Sequence, residues 1–149
     1  MTYFSLRFSG TCVTLVFSCC LFAMVGCDRG PETIPLEGRV TYGNQPLEFG
    51  TVIFQPSSGQ PARGKIQPDG TFSLSTFRPG DGVVPGKHLV RITCYETDRP
   101  GATVESGQEI PVLGESLIPV KYGNYQTSGL EMEIGPQTKQ PVEFNLANE

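Results

Sequence analysis

The feature that most constrains this chain is the recurrence, from Leu36 onward, of short segments in which every second side chain is apolar, set apart by turn-forming residues. Period-two alternation marks strands with one buried face, and turn signals roughly eight to twelve residues apart are the rhythm of a sandwich or barrel. In residues 36–42, Leu36, Gly38, Val40 and Tyr42 alternate against Glu37, Arg39 and Thr41, and Gly43-Asn44-Gln45 turns the chain. Residues 51–55 point Val52 and Phe54 one way. Residues 62–66 lead into Pro68-Asp69-Gly70, where Asp-Gly offers the positive φ angles of a tight hairpin. Phe72 and Leu74 face inward from residues 71–75, and His88, Val90, Ile92 and Cys94 share one face of residues 88–95. Residues 129–134 and 141–146 alternate Leu130, Met132, Ile134 and Val142, Phe144, Leu146. About seven strands are therefore expected. A content of 18 Gly and 13 Pro with no Trp suits such a turn-rich β fold better than a helical bundle.

The first 26 residues read differently. One basic side chain, Arg7, precedes an uncharged apolar run that ends at Gly26-Cys27, the layout of a secretory signal peptide with a helical apolar region. Ser9, Gly10 and Thr11 interrupt it, leaving about 15 strongly apolar residues against the roughly 20 that a membrane-spanning helix requires. The expected organisation is a signal peptide over residues 1–26, a short tether over 27–35 and one sandwich domain over 36–149. The tether is short and contains proline, so the domain is expected to sit close to the bilayer.

Charge narrows the partners. The net charge is -4 with a pI near 5.0, and no two Lys or Arg residues are adjacent, so nothing could neutralise a row of phosphates. Nucleic acid is not an expected partner. Of the five cysteines, Cys12, Cys19 and Cys20 fall in the signal segment, Cys27 follows it, and Cys94 stands in a strand facing the core. A disulfide framework is therefore not expected, despite the export signal. One His and one strand Cys cannot supply tetrahedral ligation, and the acids show no ligand spacing, so neither metal nor any other non-covalent cofactor is expected. No particular oligomeric state follows from these residues.

Met24-Val25-Gly26-Cys27 resembles the lipobox of bacterial lipoproteins, with Met where Leu is usual. The resemblance implies cleavage between Gly26 and Cys27 and a thioether-linked diacylglycerol on Cys27, hence a membrane partner through a lipid anchor and a location facing the periplasm or the cell exterior. Asp28 after that cysteine resembles an inner-membrane retention signal. Gly38-Arg39-Val40-Thr41-Tyr42, Asp69-Gly70-Thr71-Phe72-Ser73-Leu74 and Val84-Pro85-Gly86-Lys87-His88-Leu89-Val90 resemble the transthyretin-like, immunoglobulin-like fold of carboxypeptidase regulatory domains. Phe77-Arg78-Pro79-Gly80-Asp81-Gly82, Ile118-Pro119-Val120-Lys121-Tyr122 and Thr127-Ser128-Gly129-Leu130 look like those of short planctomycete-type secreted lipoproteins. That family implies a fold and a location rather than an activity. His88 departs from it, standing where Tyr is common.

The enzyme nearest this resemblance is the transthyretin-like hydrolase of purine catabolism, which implies several histidines and a Tyr-Arg-Gly-Ser tail. Here there is one histidine, and the chain ends Asn145-Leu146-Ala147-Asn148-Glu149. A serine nucleophile elbow is lacking too, and Asp69 and Asp81 are better read as turn residues beside Gly. No catalytic residue is expected. The binding alternative puts Tyr95, Tyr122 and Tyr125 on the surface to stack on a glycan or meet a peptide or envelope protein, the last two in the long irregular stretch 96–126. The contrary expectation is that these rings cap the sandwich, and the apolar residues near 117–122 call for a short strand or turn of helix.

Overall fold

The computed structural model describes residues 31–102 and 114–148. Gly26, Cys27 and the signal segment lie outside the described residues. The alternating segments form two four-stranded sheets. In the first, β1 (Glu37–Tyr42) is flanked on one side by β2 (Gln45–Pro46) and β5 (Thr71–Ser73), both antiparallel, and on the other by β8 (Val142–Leu146), parallel. The second runs β4 (Ala62–Lys65), β3 (Thr51–Pro56), β6 (Gly86–Thr93), β7 (Leu130–Ile134), antiparallel throughout.

Inward side chains of both sheets make one core. Val40, Phe72, Phe144 and Leu146 meet Val52, Phe54, Ala62, Val90 and Ile92. The Phe144 ring stacks on Phe72 at 6.3 Å between centroids and presents an edge to Phe54 at 6.0 Å. Each of these Val, Ile, Leu and Phe side chains, taken from water, contributes about 1.5–3 kcal/mol. The sheets also share a corner, where Arg63 and Ser75 exchange backbone hydrogen bonds of 2.8 and 2.9 Å. With that corner and the strand registers, β1, β8, β6 and β4 begin, and β3, β5 and β7 finish, at the same end of the sandwich.

Several local expectations are corrected. Among the described residues there are eight strands rather than about seven, because Gly43 (φ 56°) and Asn44 (φ 66°) form a type I′ turn that folds Gln45–Pro46 back on β1. At Asp69-Gly70 only the glycine is left-handed (φ 82°), and its N–H closes a turn on the Gln67 carbonyl at 2.8 Å. Asp69 instead accepts from the Thr71 hydroxyl and N–H at 2.7 and 3.0 Å, which hold its carboxyl below the usual range. The strand expected over 71–75 stops at Ser73: Leu74 N–H still donates to the Leu36 carbonyl opposite it, but the Leu74 carbonyl leaves the ladder to accept from Gly82 N–H at 3.0 Å. The fold also starts before residue 36. Ile34 and Val83 exchange hydrogen bonds of 2.8 and 3.0 Å, and Pro35 accepts from the Gln140 side chain at 2.9 Å.

Candidate functional site

The two side chains with the most chemical potential both lie inside. His88 begins the inward row of β6 and is 0% exposed; its ring packs 6.0 Å from that of Phe54, and its Nε2 sits 2.8 Å from the Val84 carbonyl. That bond requires Nε2 to carry a proton, while Nδ1 is buried without a hydrogen-bond partner. Cys94 ends the same row at 1% exposure. Burial pushes its thiol up to about 11, with the nearby Asp98 charge adding to the effect and Arg99 opposing it. A thiol in that setting is a core hydrophobe and not a nucleophile at neutral pH. Six positions of extended chain separate His88 from Cys94, which lies just past the end of β6, so they do not converge on any opening.

The three tyrosines do not form a surface together. Tyr122 goes against the binding alternative and with the expectation that these rings cap the sandwich: it is 6% exposed, and its Oη accepts from the Ala147 N–H at 3.0 Å while lying 3.4 Å from the Ala147 carbonyl. The reason is local. The helical turn expected near 117–122 is a 3₁₀ turn over Val120–Gly123, which points Val120 outward at 79% exposure and swings Tyr122 into the gap between β6 and the end of β8. Tyr125 is half-buried, with the Arg91 guanidinium 5.0 Å above its ring. Tyr95 is half-buried as well. Its backbone bridges to Ser116, and its N–H donates to the Asp98 carboxylate at 3.0 Å at the start of a 3₁₀ turn over Glu96–Asp98.

A different element stands out on the surface. Between β5 and β6 the chain makes a loop whose conformation is dictated by Asp81. The carboxylate accepts from the N–H groups of Thr76 (2.7 Å), Phe77 (2.9 Å) and Arg78 (2.8 Å). Burial works against its charge, but the N–H donors of Thr76, Arg78 and Phe77 outweigh it and hold the carboxyl below its usual range. Thr76 Oγ1 donates to the Gly82 carbonyl at 2.7 Å, and Gly80 N–H to Ser75 Oγ at 2.8 Å. The outcome is a firmly held tip on which Phe77 is 42% exposed and Arg78 is exposed. Sequence reasoning took Asp81 for a turn residue and missed the tip. The available signal was an aromatic and a cation placed between Thr76 and Pro79-Gly80, with no alternating partner to bury them.

Two broad surface depressions complete the picture. One, about 660 Å³, lies along β1 and β5 and is edged by Glu37, Lys65, Gln67, Thr71, Ser73 and Gln140. The other, about 570 Å³, adjoins it through Lys65 and Gln67 and lies near Phe49, whose ring has the Arg99 guanidinium 5.1 Å away. Both offer hydrogen-bonding groups, and neither includes His88 or Cys94. Among the described residues, no three His, Cys, Asp or Glu side chains are grouped as a metal ion needs. No family model, no curated protein and no solved structure matches this chain.

Proposed function

We propose that this chain is a membrane-anchored lipoprotein of the cell envelope, whose transthyretin-like sandwich is a non-catalytic structural or interaction module held against the bilayer by a lipid on Cys27. The observation that carries the reading is where the sandwich takes hold of the chain. Ile34, bonded both ways to Val83, is the seventh residue after Cys27, so the free tether spans at most about 25 Å even when fully extended. A domain on so short a lead works at the membrane surface. The enclosure of His88 and Cys94 supports a module over an enzyme, since neither side chain can meet a substrate without opening the core.

The anchor is strong enough for that role. At roughly 0.8 kcal/mol per buried CH₂, two acyl chains hold a protein far longer than one chain does. Intact mass of the membrane-extracted protein provides the test, alongside a Cys27→Ala variant. The expected result is a chain starting at Cys27 with the added mass of a diacylglycerol, and an unprocessed, unmodified variant. A wild-type mass equal to the bare full-length chain overturns the proposal.

A further inference from the structure

We infer that the Phe77-Arg78 loop tip is a second membrane contact, an interfacial foot that sets its aromatic ring and guanidinium among the lipid headgroups beside the anchor. This rests on the reading of Cys27 as lipidated, and goes beyond it in assigning a surface and an orientation.

Topology supplies the first argument. The tip stands at the end of the sandwich where β1, β8, β6 and β4 begin, and the chain arriving from Cys27 comes in at that same end, paired through Ile34 with Val83 at the base of the loop. Gly82, one residue earlier, lies directly against the Ile34 carbonyl. Reach supplies the second. The eight-residue β6 makes the sandwich about 26 Å long, comparable with the whole tether, so the lead favours an upright domain with the Ile34 end downward.

Chemistry supplies the third. An aromatic ring beside a guanidinium suits the zone between acyl chains and water, where the ring loses water and the cation meets phosphate. Arg63, exposed and tied through its backbone to Ser75 at the loop's base, adds a second cation. Glu32 and Glu37 share this end, so its charge is mixed, and the ring rather than net charge drives the contact. The Asp81 carboxylate does not oppose it, because its oxygens are turned into the loop toward three N–H groups. With its donors already satisfied, the tip loses little conformational freedom on docking.

The protein contains no Trp, so a single introduced indole reports its own surroundings. Full-length F77W and V120W are expressed with lipid modification and reconstituted into vesicles of phosphatidylcholine and phosphatidylglycerol, with and without bromine on the acyl chains. Val120 is the control, being exposed and at the far end of the sandwich, beyond the finish of β6 and β8. F77W emission should shift to shorter wavelength and be quenched by the brominated lipid, with the loss reduced by adding Arg78→Glu, while V120W stays at the emission of water-exposed indole. Flotation of the same samples keeps the two claims apart. If the protein floats with the vesicles but F77W behaves as V120W does, the foot is overturned and the anchor stands. If wild type sediments as Cys27→Ala does, the anchor falls and the foot with it.

Discussion

At Asp81 a single carboxylate organises a whole loop, and its energetics can be read from the direction of its titration. Its folded-state carboxyl titrates below the ordinary value of 3.8, so the stability it contributes is fully present above that value and is lost as the pH falls through the folded one. Asp81→Asn should therefore lower the thermal midpoint at pH 7, and the gap to wild type should narrow as the solution is acidified below about pH 4. Circular dichroism melts at the two pH values measure this, and a gap that widens on acidification contradicts it. The type of the residue was readable in the sequence, as a turn-former beside Gly82, but its partners were not. Three N–H groups converge on one carboxylate only once the backbone from Thr76 to Arg78 has curled, and no residue pattern announces that curl.

Among the elements, β1 shows how tightly two neighbours can demand one residue. It is paired on both sides, and at Gly38 a methyl group would press on the Phe72 ring and on Val142, 2.6 Å from its nearest atoms. Gly38→Ala should cost about 1–3 kcal/mol through overpacking, seen as a lower denaturant midpoint with little change in m-value. An unchanged midpoint would mean that β5 and β8 can part without penalty. Five of the strands, β1, β3, β6, β7 and β8, were legible because each carries two or more alternating apolar residues, while β4 and β5 showed through Ala62 and Phe72 with Ile66 and Leu74 just past their ends. β2 was not, since Gln45 and Pro46 are both exposed and leave no apolar row to see. The inward row of β6, from His88 to Cys94, was read correctly down to its last member.

For the molecule as a whole, Tyr122 acts as a clasp between the 3₁₀ turn that lies on β6 and the residue just past β8. Tyr122→Phe keeps the buried ring and removes the hydroxyl, so about 1 kcal/mol should be lost and the thermal midpoint should drop by a few degrees. A variant as stable as wild type would show that the ring alone holds that seam. The sequence disclosed two sheets' worth of amphipathic strands but not their order. Thr41 and Phe144 are 103 residues apart, and a pairing at that separation leaves no trace in local periodicity. That parallel pairing of β1 with β8 has a temporal meaning. A polypeptide emerging amino end first, from a ribosome or a translocation channel, displays its earliest strand long before the companion destined to lie alongside it has appeared. Until the closing segment arrives, one flank of β1 stays vacant and the barrier of a distant loop closure remains uncrossed, so the first sheet can be completed only once β8 has been made.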